Sequence, residues 1–375
     1  MRAQLRRDAE AWAREWRADW PAHLLDRYGI DLSSHFLGEP IPHPIGKGSG
    51  QLSLRADQLE ADAEAGLAFA VLKTVIAQDE RGEQMMGAWA IHETKMRVER
   101  RRASDGREGW TVTWKGRGWD RPLEDYLALV RSARVLSGRL LAVPSVKYHL
   151  PGMGEPFREE EYRFTTRALE DAWGAGPLLL EKDFSPTLAG DVRSDERATV
   201  RRWLQEVPRH IRAAARGPVR LGVKLMNARF DDAFQREMLA DAAGADSLTV
   251  FNRLWDAGAG VAYGGWDLSG RNLRVLDNAP RAPLPLSGTG NVCSGRMIVE
   301  YARRGCTSVQ LHTFFQLPLS EYPATQGART ARALHALVFD LQDGLVAVLL
   351  ELEEQGLLAR RGGRLHFRDL CEPAA

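Results

Sequence analysis

From about residue 41 to residue 355 the chain alternates between two patterns. Short runs of consecutive apolar residues, such as Ala68-Phe69-Ala70-Val71-Leu72, suit strands covered on both faces. Longer stretches repeat an apolar residue every three or four positions, which lays one helix face on a core. Strands are predicted beginning at Ile45 and over residues 66–75, 139–147, 177–184, 219–225, 247–252, 284–287 and 308–314. Helices are predicted after Gly50 (apolar spacing through Leu59, Ala63 and Leu67), over 123–136, 159–173, 195–215 and 231–242, near 270–276, and over 295–304 and 328–354. Eight strand–helix units predict an α/β fold of the closed (β/α)8 TIM-barrel type. An open doubly wound sheet would also alternate but would not need eight units.

Three regions fall outside this rhythm. Residues 1–40 read as an arginine-rich, N-terminal helical extension, in which Trp12, Trp16 and Trp20 share one helix face. That stripe is expected to pack on the barrel or a second subunit; a membrane-surface helix is the competing reading, weakened by the acidic residues between the tryptophans. Residues 76–121 are rich in Arg, Glu and Trp. Two alternating stretches there, around the turn at Ala103-Ser104-Asp105-Gly106, predict a β-rich insertion over the C-terminal face of the barrel (residues 41–355). Residues 356–375 read as a C-terminal tail.

Composition narrows the function classes. The 375 residues carry a formal net charge of +1, which gives no footprint for nucleic-acid binding. No apolar run is long enough to span a membrane and the N-terminus is too charged for a signal peptide, so a cytoplasmic protein is expected. Cys293, Cys306 and Cys371 form no C-x-x-C pair, which argues against a disulfide framework, a zinc site or an in-chain iron–sulfur cluster.

The chemistry is expected where strands end. Gly288-Thr289-Gly290 joins an apolar strand to a helix start, a combination that suits a phosphate. His312-Thr313 ends the neighbouring strand. The other polar strand ends are Ser49, Lys73, Thr74, Ser145, Lys147, Lys182, Asp183, Ser185, Lys224 and Asn252. Lysines are rarely buried unpaired, so Lys73, Lys147, Lys182 and Lys224 together imply an electron-rich ligand. Lys224 could face a ring that gains negative charge on reduction, with Lys73-Thr74 at the opposite edge. Ser185, before Pro186, could exchange a proton beside such a ring; an ordinary turn fits the spacing equally well.

These segments, in this order, resemble the dihydroorotate dehydrogenase family of FMN-dependent barrels, including the related domain of dihydropyrimidine dehydrogenase. The likeness runs through Pro44-Ile45 with Gly48-Ser49-Gly50, Ala65 to Thr74, Gly222-Val223-Lys224-Leu225, Ala243 to Arg253, Gly264-Gly265 with Ser269-Gly270, and Ser287 to Thr313. It implies FMN as cofactor, with Ser49, Gly50, Lys73, Thr74, Lys224 and Asn252 around the ring. Gly265, Gly288, Thr289, Gly290, His312 and Thr313 would hold the ribityl phosphate, and Ser185 would be the catalytic base, with Lys73 and Lys182 at the substrate.

The family's asparagines that grip a pyrimidine are absent: Lys182 and Thr187 stand in their place, and the loop 114–119 lacks the expected asparagines. A different small substrate is therefore expected, with anions favoured by Lys115, Lys147 and Lys182. The resemblance implies hydride transfer at a C–C or C–N bond next to a carbonyl, an unidentified electron acceptor and a homodimer. A true dihydroorotate or dihydropyrimidine oxidoreductase and a non-redox phosphate-binding barrel (aldolase, decarboxylase or sensor) are the alternatives.

Overall fold

The computed structural model describes residues 2–87, 97–102, 108–113, 118–184, 196–228, 231–256, 261–263, 266–279 and 284–372. The barrel strands are β1 (Ile45–Lys47), β2 (Phe69–Val71, resuming as Val75–Ile76), β3 (Leu141–Val143, resuming as Ser145–Lys147), β4 (Leu178–Asp183), β5 (Val219–Lys224), β6 (Ser247–Val250), β7 (Leu286–Gly288) and β8 (Cys306–Leu311). Each pairs in parallel with the next, and β8 pairs with β1, so the barrel closes. The break in β3 falls at Pro144, which has no N–H for the ladder. Between the strands run α3 (Ala56–Glu64), α4 (Leu123–Val135), α5 (Glu159–Trp173), α6 (Arg197–Ala214), α7 (Asp232–Asp241), α8 (Trp266–Asp277) and α9 (Gly295–Ala302).

The final helix expected over 328–354 is two helices, α10 (Arg329–Phe339) and α11 (Leu345–Glu354). Asp340 accepts from the backbone of Gln342 and Asp343 at 2.9 and 2.7 Å, turning the chain. A Cβ on Gly344 would lie 2.3 Å from the Asp340 carbonyl oxygen, so only glycine passes there.

The N-terminal segment is likewise not one helix. It forms α1 (Arg2–Arg14) and α2 (Trp20–Tyr28), so the tryptophans span a break. They pack on the barrel's own outer layer. The Trp12 ring stacks on Phe339 at 5.8 Å, and the Trp16 and Trp20 indoles donate to the carbonyls of Ala65 and Gly66. A hairpin of Ser34–Phe36 and Glu39–Ile41 then plugs the barrel floor. Phe36 stacks on Phe69 at 3.9 Å, and Leu37 lies against Gly222. Ile30–Asp31 pairs in parallel with Leu365–His366, which joins the two flanking segments.

At the opposite end Arg97–Arg102 and Glu108–Thr113 form the expected antiparallel hairpin. It lies against α8 and a second hairpin, Leu254–Asp256 with Val261–Tyr263, that follows β6. The insertion thus stands over the C-terminal face; its turn, 103–107, lies outside the described residues. No helix among the described residues is long and apolar enough to cross a membrane.

Candidate active site

The ends of β1, β5, β6, β7 and β8 enclose a narrow cleft of about 40 Å³. Lys224 and Arg253 supply cations; Ser49, Asn252, Thr289 and Thr313 supply hydroxyls and amides. None of the described residues lining it is a carboxylate.

The turn after β7 is held from behind. Asn272 Nδ2 and the Tyr301 hydroxyl donate to the Thr289 carbonyl at 2.9 and 2.6 Å. The Ser269 hydroxyl donates to the Gly290 carbonyl at 2.5 Å. The Thr289 N–H donates to the Val250 carbonyl at 2.7 Å, so the turn is also fixed from β6. Gly290 has φ +105°, and a Cβ there would lie 2.3 Å from Asn272 Nδ2, so the residue must be glycine. Gly288 answers to a different constraint: a Cβ would meet the Tyr301 ring at 2.5 Å, so its absence lets α9 close on the sheet.

Below the cleft lies a polar cluster inside the barrel. Lys224 Nζ donates to Gln310 Oε1 at 3.1 Å, and Gln310 Nε2 donates to Glu181 Oε2 at 2.6 Å and to Thr249 Oγ1 at 3.1 Å. Glu181 is absent from the sequence-based site. Its signal was the two-residue alternation of β4, which puts Glu181 and Asp183 on one face. Burial pushes the Glu181 carboxyl above its usual range, opposed by Lys224.

The other half of the mouth is built from β1 to β4. The hydroxyls of Ser49, Thr74 and Ser145 form a chain with steps of 2.8 and 3.0 Å. Lys73 donates to Gln51 at 3.1 Å. Lys147 and Asp183 form a buried ion pair at 2.6 Å. Burial pulls the Lys147 ammonium down from its usual range, partly restored by Asp183.

The expected residues therefore divide. Ser49, Lys224, Asn252, Thr289, Gly290, His312 and Thr313 meet around the cleft, with Thr74 and Lys73 beside it. Gly50 borders the His312 ring, at which its Cβ would point from 1.8 Å. Lys182 is not brought to this group. It alternates with Glu181 and Asp183, so it leaves β4 on the outer face, fully buried, with its ammonium 4.4 Å from the Phe184 ring. Burial, then Lys147, hold it well below the usual lysine range. Ser185 and Gly265, and with them Lys115 and Thr187, lie outside the described residues.

The side chains of the cleft fit the phosphate and ribityl chain of FMN: cations, hydroxyls and amides, with no carboxylate among the described lining residues. Room for the ring depends on His312. Its imidazole fills the space beside Gly50 and bonds Gln316 at 2.6 Å. Burial, reinforced by Arg253 and Lys224, keeps that imidazole well below its usual range and hence neutral. No group of three His, Cys, Asp or Glu that could hold a metal occurs among the described residues.

In structure the chain is similar to the DHODH of Eimeria tenella, solved in complex with ferulenol. The TM-score is 0.61 over 92% of this chain and 89% of that one, at 13% identity. No family model and no curated protein matches the chain. At that identity the likeness shows the barrel fold.

Proposed function

We propose that the protein is an FMN-dependent oxidoreductase acting on a C–C or C–N bond next to a carbonyl in a small, anionic substrate other than orotate. The observation that carries this reading is the carboxylate-free cleft at the ends of β5 to β8, on a barrel similar to DHODH. The turn at Thr289-Gly290 and Thr313 would hold the phosphate, and Lys224 would lie at the edge of the ring that becomes electron-rich. Bound FMN would exchange the hydride. Ser185 would take or return the substrate proton, at the loop after β4. Lys73 and the Lys147–Asp183 pair would border the substrate. The reading extends to a cytoplasmic homodimer that passes electrons to a diffusible acceptor or a partner protein.

The narrowness of the cleft favours one competing reading, a barrel that binds a smaller phosphorylated metabolite without redox chemistry. The colour of the purified protein separates the two. Flavin absorption at one FMN per chain is expected; a colourless protein that cannot be reconstituted with FMN refutes the oxidoreductase.

A further inference from the structure

A carboxylate lies directly beneath the cleft. Glu181 is 1% exposed. Its Oε2 accepts from the Gln310 amide at 2.6 Å and from Thr249 at 3.5 Å. Its Oε1 accepts no hydrogen bond and lies 3.9 Å from Lys224 Nζ. The Gln310 amide spans the two charges, with its NH₂ toward the carboxylate and its oxygen toward the ammonium. A Cβ on Gly48 would lie 3.4 Å from that oxygen and 3.6 Å from Lys224 Nζ, so the bridge sits just under the glycine-rich turn.

A lysine head is a mobile point charge on a flexible stem, and it is costly to bury without a counter-charge. Glu181 and Gln310 supply both the anchor and the counter-charge. Among the described residues, Asp183 on its own strand and Tyr126 on α4 also interact with Glu181, and Lys147 on β3 pairs with that Asp183. Lys224 is the cation that lies 3.9 Å from Glu181 Oε1. Burial favours the protonated acid, while Lys224 and the donors from Gln310 and Thr249 favour the carboxylate.

We infer that Glu181 is a positioning residue for Lys224 and that its charge sets how strongly the cleft holds an anion. Its effect on a redox couple rests on the flavin reading; its effect on anion binding does not.

Sulfate tests the anion part, because its charge is constant at neutral pH. Calorimetric titration of the purified chain at low salt is expected to show sulfate binding about fivefold tighter in Glu181→Gln than in wild type. Glu181→Asp keeps the charge and should stay within about twofold of wild type. Lys224→Met should weaken binding, which locates the sulfate in the cleft. Glu181→Met is the second neutral variant should the glutamine fail to fold. Unchanged sulfate affinity in a folded neutral variant, or an aspartate variant that behaves like the glutamine one, overturns the inference. With FMN bound, Glu181→Gln should favour the reduced ring about tenfold, a rise of about 30 mV for a two-electron couple. An unchanged potential overturns that half. A chain that takes up no FMN refutes the flavin reading alone, while the sulfate titration still decides the role of Glu181.

Discussion

The two halves of the barrel mouth handle polarity differently. Around β5 to β8 the cleft presents cations, hydroxyls and amides, and the Glu181 carboxylate is sunk below it behind Gln310. Around β3 and β4 a cation and an anion meet directly at the mouth, buried and in contact. The first arrangement gives a standing preference for negative charge, which suits a ligand that stays. The second is internally neutral, and it responds to whatever disturbs one partner. A site that keeps a cofactor and exchanges a substrate needs one half of each kind.

The largest effect expected is on the exchanging half. Ser185→Ala should slow the substrate half-reaction by about 10²–10⁴-fold while FMN content stays at the wild-type level. Stopped-flow reduction of the bound flavin reads both, and unchanged rates would detach the proton transfer from the β4 loop.

Lys147→Ala tests the neutrality of that half. It removes the cation in contact with the buried Asp183 carboxylate, and should cost about 3–5 kcal/mol in denaturant unfolding. Replacing both residues by Met and Leu should restore most of the stability yet abolish turnover. Full stability in the single variant would show that the pair is not internally balanced.

On the cofactor side, Asn272→Ala removes the amide that donates to the Phe251 carbonyl and, alongside Tyr301, to the Thr289 carbonyl. A loss of about 1–3 kcal/mol is expected, together with faster FMN release on dilution. Stability lost without faster release would uncouple the held turn from ligand retention.

The smallest effect concerns acid. His312 has its pKa lowered in the folded chain, chiefly by burial, so its contribution to stability is fully present above the ordinary histidine range. Between that range and the depressed value the unfolded chain binds the extra proton, and stability falls as pH falls. His312→Gln should therefore unfold less steeply in acid, as followed by circular dichroism at stepped pH. An unaltered acid profile would mean that the imidazole is not sealed among the cations.

The barrel was legible because alternating strand and helix periods repeat between about residues 41 and 355, and each repeat is local. Where the reading failed, the cause was a contact that crosses the sequence. The break between α10 and α11 depends on a turn closed by Asp340, in a stretch whose apolar spacing runs on unbroken. The tryptophan stripe was recognised, but its partner, Phe339, lies at the far end of the chain. Lys182 and Asp183 both read as polar strand ends, but a shift of one position along β4 exchanges the inner face for the outer one, and it is Asp183 that faces inward. Glu181 was hidden for the same reason, since an acid in an apolar run reads as the run's edge until the strand's direction is known. Lys224, Asn252, Gly290 and Thr313 were reachable as cleft-lining positions because each stands at or just past the end of a predicted strand.

The joined flanking segments impose an order on assembly. Trp12 needs Phe339, His335 bonds Ala9 across a separation of 326 residues, and Ile30 needs Leu365. Such distant closures are slow, and during synthesis the N-terminal segment emerges long before its partners exist. Trp16 and Trp20 meet Ala65 and Gly66 early, but Trp12 waits for Phe339. A chain that stops before α10 therefore lacks the partners of both Trp12 and Ile30, while Trp16 and Trp20 already have theirs.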